Sequence, residues 1–412
     1  MRRVVLAALT LTGIALGCAR PAAAQSIADM TRDFQTLQTR IAAGDKAAYA
    51  AQPERIAAIG AAIAAAKPEL WQSKRETDAA VIYLLSGGQP RDIVHLLETG
   101  AVPESEAPLM RGALAYTLGS EDEAVKRLGS LDLRALSLRL ASSIAFAQSV
   151  LETKRDPVKA IALLDQARLL APGTLIEEAS LRREAMLASD QRDIDRVALL
   201  SRQYVQRFGA SVYADAFLQA LADALTQTGT VDTPDNFTKF SAFFAALSPE
   251  ARRGFLLMVA RTAVIDGKCV VANTAAGGAL KVAAADSAEE ARGKLYQGAA
   301  RILTNEYDAG LAELQSVASA KLDRHDQDLL AGARAVAAFL RQPPAEIVEQ
   351  PAVTAGAPAP ESDSASQTIT LAEAALDRTA PMVGPPAASA PPAPVAPAPA
   401  NAPAAPADKG SP

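Results

Sequence analysis

The chain has 412 residues, half of them hydrophobic, and a formal net charge of −5 at pH 7. It is long enough for one or two well-buried cores. Charges of both signs are mixed along it, without the basic face that nucleic-acid binding requires. Aromatic residues make up only 4%, and alanine, the best helix former, is abundant. This composition favours an all-α protein.

Residues 1–24 have the pattern of a signal peptide. A short positive start precedes an apolar run over residues 4–16, which is too short to span a bilayer. Two cleavage sites compete. Cleavage after Ala24 would export a soluble chain, whereas a lipoprotein-type box ending at Cys18 would give that cysteine a lipid anchor. No later segment is long and apolar enough to predict a membrane span.

Residues 25–342 carry apolar residues at helical spacing. Gly44 ends the first helix, whose apolar positions are Ile27, Met30, Phe34, Leu37 and Ile41. Short turns of glycine, aspartate, asparagine or proline then separate successive helices. Helix pairs recur about every 31–40 residues, as in residues 115–128, 185–200 and 302–314. We therefore predict a tetratricopeptide-like helical-hairpin solenoid with a concave groove.

The composition changes at Pro343. Sixteen of the 26 prolines lie in residues 343–412, among alanine, serine and glycine. Such a segment cannot form a core, and we expect a disordered Pro/Ala-rich tail. Residues 370–378 interrupt it with the sequence TLAEAALDR, which fits either a transient helix or a tethered docking motif.

The sequence contains few residues that could form a catalytic or metal-binding site. It contains two histidines, His95 and His325, and neither has the spacing of a metal-ligand motif. After cleavage at residue 24 a single cysteine, Cys269, would remain, and we expect an inert buried thiol. Trp71 fits packing at a helix junction, or a hot spot for a partner. We predict no catalytic, cofactor-binding or metal-binding residues.

The stretch 171-APGTLIEEASLRREAML-187 resembles an active-site loop, but each conspicuous residue has a structural use. Thr174 and Glu177 have the spacing of a capping box, in which each side chain bonds the other residue's amide. Glu178 and Arg182 have the spacing of a helical ion pair. We therefore predict that this stretch starts a helix.

Arginines cluster on the two helices predicted around this stretch. Planar guanidinium groups are favoured at interfaces, so these arginines are candidate partner-binding residues, although a solvated helix face is the simpler interpretation. The candidates are Arg182, Arg183, Arg192, Arg196, Arg202 and Arg207.

Four stretches together resemble one family. Residues 165–184 resemble the signature region of the MotC family of alphaproteobacterial periplasmic flagellar motor proteins. Residues 37–45, 77–90 and 201–217 resemble other segments of the same family. The resemblance runs in order through residues 27–285 and fades beyond them.

The resemblance implies an exported, non-enzymatic protein of the periplasm. Its partner would be the periplasmic part of MotB, a stator subunit of the flagellar motor, and its binding would support rotation. A general periplasmic helical-repeat scaffold or an envelope lipoprotein is the alternative. The helical ring of a murein lytic transglycosylase would need a separate catalytic domain, for which the composition of residues 343–412 leaves no room.

Overall fold

The computed structural model describes residues 26–229 and 231–341. Within these ranges the chain is entirely helical, with eighteen α-helices, three short 3-10 helices and no strand, which confirms the predicted all-α class. The predictions for the signal peptide, for Cys18 and for the tail with its stretch 370–378 lie outside the described residues. No helix within the described ranges is long and apolar enough to cross a membrane.

The first ten helices form the N-terminal part of the fold. Their bounds are α1 Ile27–Ala42, α2 Lys46–Ala65, α3 Lys74–Leu85, α4 Pro90–Glu98, α5 Ala107–Leu118, α6 Glu121–Leu128, α7 Leu138–Glu152, α8 Pro157–Leu170, α9 Leu175–Asp190 and α10 Ile194–Phe208. The remaining bounds are α11 Ala214–Gln227, α12 Pro234–Thr238, α13 Ser241–Ala246, α14 Pro249–Ile265, α15 Cys269–Leu280, α16 Ala288–Arg301, α17 Tyr307–Ser316 and α18 Arg324–Leu340.

Side-chain caps begin many of these helices. Asp45 accepts a hydrogen bond from the amide of Ala48 at 2.9 Å, and Asp193 accepts one from the amide of Arg196 at 3.1 Å. These carboxylates satisfy helix N–H groups that have no intrahelical acceptor. Asp323 caps α18 in the same way, so the run around His325 begins a helix.

Consecutive helices pack as hairpins. Each of the three predicted repeats is a helix, a tight turn and a second helix, namely α5–α6, α9–α10 and α16–α17. Trp71 lies in a short 3-10 helix between α2 and α3 and is only 1% exposed, so it packs at a helix junction as predicted.

The N-terminal hairpin also packs against a distant part of the chain. Gly44, in the turn between α1 and α2, adopts φ 97°. A Cβ atom there would lie 2.2 Å from the backbone carbonyl oxygen of Ala210, which follows α10. Ile41, Ala48 and Tyr213 share a small buried cluster at this junction, which we call the closure. Helix α1 also packs on α9.

The closure changes the expected architecture. In a solenoid each repeat contacts only its neighbours, whereas α1 contacts both its neighbour α2 and the distant helix α9. The tetratricopeptide-like solenoid is therefore not confirmed. The arrangement of α1–α10 instead curves, so that the hairpin α1–α2 packs against α9 and the turn after α10.

Candidate functional site

A cavity of about 880 Å³ that is open to solvent on one side lies in the N-terminal part of the fold. Helix α2 lines one side, α7 and α9 line the other, and the turn between α3 and α4 and the turn after α10 contribute at the ends. Cavities of a few hundred to a thousand cubic ångströms with a mostly apolar lining are typical of binding sites. We call this space the central cavity.

Residues from all four stretches on which the family resemblance rests line the central cavity. Residues 37–45 contribute Gln38, and residues 201–217 contribute Tyr213. The other two stretches contribute more, namely Leu85, Ser86, Gly87 and Gln89 from residues 77–90, and Leu175, Ile176, Ala179 and Arg182 from residues 165–184. Segments far apart in sequence therefore meet at one place.

Small residues of α2 form one side of the cavity. Ala57, Ala61 and Ala64 line it and are exposed. At Gly60 a Cβ atom would lie 2.4 Å from the Asp92 carboxylate and 2.7 Å from the Tyr83 hydroxyl. Glycine thus lets α2 approach the α3–α4 turn.

A hydrogen-bonded pair holds that turn in place. The Tyr83 hydroxyl donates to the Asp92 carboxylate at 2.6 Å and accepts from the Gln89 amide at 3.1 Å. Burial, together with the adjacent Asp92, raises the pKa of Tyr83 well above its ordinary value. The tyrosine therefore remains a neutral hydrogen-bond donor at physiological pH.

Aromatic rings and arginines from several elements also line the cavity. The rings of Tyr49 and Tyr213 meet edge to face with centroids 6.0 Å apart, and Phe146 also lines the space. The Arg182 guanidinium lies 4.9 Å from the Tyr213 ring centroid and forms an ion pair with Glu178 at 3.0 Å. The lining is therefore largely aromatic and apolar. Both of its arginines have a carboxylate partner, because Arg91 lies 3.7 Å from Asp92 and Arg182 lies 3.0 Å from Glu178.

Helix α9 buries its carboxylates, which the sequence analysis did not predict. Glu178 and Glu184 have no exposed surface. The Glu178 carboxylate accepts from the Tyr204 hydroxyl at 2.6 Å and from the Ser211 hydroxyl at 3.3 Å. Donors from α10 and the turn after it thus offset the cost of burying this charge.

Glu184 is the centre of a second buried ion cluster. Its carboxylate pairs with Arg168 of α8 at 2.5 Å and with Arg196 of α10 at 2.5 Å. Both arginines also contact Asp165, at 3.1 Å and 2.6 Å respectively. Burial raises the pKa of Glu184, and the charge of Arg168 opposes that increase. The cluster ties three consecutive helices together.

The predicted capping box is only partly formed. Thr174 is the N-cap residue of α9, but its hydroxyl donates to the Ala171 carbonyl at 2.6 Å and does not accept from Glu177. Glu177 reaches back as predicted, yet its carboxylate accepts from the Gly173 amide at 2.5 Å. The tight Pro172-Gly173 turn presents the Gly173 amide to that carboxylate. The predicted ion pair between Glu178 and Arg182 is confirmed.

The six candidate arginines are not one solvated face. Arg182 lines the central cavity and Arg196 belongs to the Glu184 cluster. Arg207 pairs with Glu177 at 2.7 Å, and Arg183 donates to the Thr153 hydroxyl at 3.2 Å. The other two differ in exposure: Arg192 is exposed in the α9–α10 turn, and Arg202 is half-buried. Several of these side chains therefore hold α8, α9 and α10 together.

Other sequence predictions concern possible chemistry. No group of three or more histidine, cysteine, aspartate or glutamate side chains is placed to hold a metal ion within residues 26–229 and 231–341. Asp326, next to His325, is 1% exposed and accepts from the Tyr296 hydroxyl at 2.7 Å. Cys269 is half-buried at the start of α15, less enclosed than predicted.

Tyr204→Phe is expected to lower the free energy of unfolding by about 1.5–3 kcal/mol, because it removes a hydrogen bond to a buried carboxylate. The matched control is Tyr307→Phe, which removes a 2.6 Å hydrogen bond to the neutral Ala337 carbonyl and should cost about 0.5–1.5 kcal/mol. Urea unfolding of both variants measures the difference. Equal losses would show that the Glu178 carboxylate does not depend on Tyr204.

The described fold defines a class, an all-helical protein with a largely apolar cavity. Sequence comparison gives the family. The chain matches the family described as chemotaxis protein MotC over residues 1–407, and it belongs to this family of motility proteins. The match extends well beyond the region of resemblance predicted from the sequence.

A curated relative supports this assignment. The chain is similar to the chemotaxis protein MotC of Rhizobium meliloti (strain 1021), with 27% identity over 373 residues. The alignment covers 90% of this chain and 85% of the relative. No solved structure matches the chain.

Proposed function

We propose that this protein is a periplasmic motility protein that binds the periplasmic part of the MotB stator subunit and supports flagellar rotation without an enzymatic activity of its own. Membership of the MotC family supports a role in motility. The main support for a binding site at the central cavity is that residues from four family-like stretches line it. The signal-peptide pattern of residues 1–24 supports export.

In this proposal the cavity supplies the main contact. An aromatic or aliphatic side chain of the partner would be desolvated between Tyr49, Phe146 and the alanines of α2, and such buried anchors carry most of the binding energy of an interface. Among the candidate arginines, Arg192 and Arg207 are exposed and would steer acidic groups of the partner. Contacts of that kind change the association rate and its salt dependence more than the affinity.

The experiment measures binding of the full chain to the purified periplasmic part of MotB. Ala57→Trp places an indole in the cavity and is expected to weaken binding at least tenfold, or about 1.4 kcal/mol. Glu54→Trp is the matched control, because Glu54 is exposed on the same helix and does not line the cavity. Equal affinities of the two variants would show that the cavity is not part of the interface.

Two further results bear on the proposal. Replacing Arg192 and Arg207 with alanine is expected to weaken the dependence of the association rate on salt concentration.

Deletion of the gene is expected to stop swimming while flagella still assemble. Failure of the full chain to bind, together with normal swimming of the deleted strain, would favour a general envelope scaffold, and lipid labelling of Cys18 would make that scaffold a lipoprotein.

A further inference from the structure

We propose that the central cavity is occupied by this chain's own segment 379–407, which docks there within the same molecule. The segment has the sequence TAPMVGPPAASAPPAPVAPAPANAPAAPA. This occupancy goes beyond the function proposed above: the segment fills the cavity in the free protein, and a partner that enters the cavity must displace it.

The aromatic lining fits proline-rich chains. Tyr49 and Tyr213 meet edge to face, and Phe146 lines the same space. Proline-rich segments dock in aromatic-lined grooves because their extended helix is preformed and loses little entropy on binding. Ten prolines lie in residues 379–407, so this segment presents the rings that such a lining accepts.

The alanines of α2 fit an extended backbone. Ala57 and Ala61 are exposed there and leave room for a chain to approach α2 closely. A polyproline-type helix has no internal hydrogen bonds, so its carbonyl groups need outside donors and its alanine amides need outside acceptors. Amide side chains of Gln38, Gln52 and Gln89 line the cavity, and the buried Oε1 atom of Gln52 has no hydrogen-bond partner.

The charges of the two surfaces also agree. Residues 379–407 contain no charged side chain. In the cavity lining Arg182 is paired with Glu178 at 3.0 Å and Arg91 lies 3.7 Å from Asp92, whose carboxylate also accepts from Tyr83 at 2.6 Å. An uncharged occupant therefore covers these groups without leaving a charge unpaired, whereas a charged occupant would carry its own desolvation cost.

The tether is long enough. The segment between Arg341 and residue 379 would extend about 120 Å at roughly 3.1 Å per residue. A compact fold of this size has a radius of gyration of about 20 Å, so the segment can reach any point on the described structure. Tethering over such a distance gives an effective concentration that favours docking within one molecule.

The test measures how fast a thiol in the cavity reacts with a small alkylating reagent. The full chain carries Cys18→Ser and Cys269→Ser, so that Ala61→Cys is its only thiol. If the segment occupies the cavity nine-tenths of the time, alkylation is slowed about tenfold. The reference chain has the same length, with the ten prolines of residues 379–407 replaced by glycine.

Controls separate docking from other effects. A thiol introduced by Glu54→Cys, on the same helix but outside the cavity, should react equally fast in both chains. A synthetic peptide of residues 379–407, added to the glycine variant, should slow the Ala61→Cys thiol again. Equal Ala61→Cys rates with and without the prolines would overturn the proposal. A protection that grows with protein concentration would overturn its intramolecular form and show docking into a second copy.

Discussion

Replacing Gly44 with alanine is expected to destabilise the protein by about 3 kcal/mol or more. Part of this loss, roughly 1–2 kcal/mol, is the cost of a non-glycine residue in the left-handed region. The rest comes from the closure, because the new Cβ atom would lie 2.2 Å from the backbone carbonyl oxygen of Ala210. A backbone atom cannot move aside as a flexible side chain can, so the hairpin α1–α2 must shift away.

Gly100 provides the matched control for this substitution. It also has a positive φ, 67°, but a Cβ atom at this position would have no heavy atom within 4 Å. Gly100→Ala should therefore cost only the conformational part, about 1–2 kcal/mol. Denaturant unfolding of both variants measures the difference. If Gly44→Ala costs no more than Gly100→Ala, the close approach to Ala210 does not constrain the fold.

Replacing Arg168 and Arg196 together with methionine is expected to cost about 3–5 kcal/mol, because Glu184 then remains buried without a cation. Methionine keeps much of the apolar stem of each arginine, so the loss reports the charge and the hydrogen bonds more than the packing. Adding Glu184→Met should recover most of the stability, since replacing a whole buried ion group with apolar residues is often neutral. A triple variant as unstable as the double one would contradict this account.

The same variants differ in their response to pH. Burial raises the pKa of Glu184 in the folded state, and loss of both arginines should raise that pKa further. The protonated carboxyl is then favoured by folding. Stability of the double variant should be highest below the unfolded pKa of about 4.3 and should fall as pH rises through the folded-state pKa. The triple variant should lack this dependence.

Local features of this fold were predictable from sequence. The ion pair between Glu178 and Arg182 lies within one helix, so its spacing alone predicts it. The start of α18 follows from Asp323, because a capping side chain contacts amides only a few residues away. The bounds of α1 likewise follow from one run of apolar residues that ends at Gly44.

The candidate site was not predictable in the same way. Apolar spacing shows which face of a helix is buried, but it does not show which distant helix covers that face. Glu177 and Glu184 share a helical stripe with the buried Leu181, and the pattern alone places such charges in solvent. Only the donors on neighbouring helices, such as Arg196, make their burial favourable. The sequence did contain one signal for this burial, namely the arginines of α8 and α10 that pair with Glu184.

The closure also determines how this chain can lose its structure. A row of stacked repeats can unravel from either end, one unit at a time. Here α1 is the first helix in the described part of the chain, yet it is held by α9 and by the turn that contains Ala210. We therefore expect the N-terminal end of the described structure to resist fraying. Helix α18 packs chiefly on its neighbours α16 and α17, so we expect local unfolding of the described structure to begin at that end.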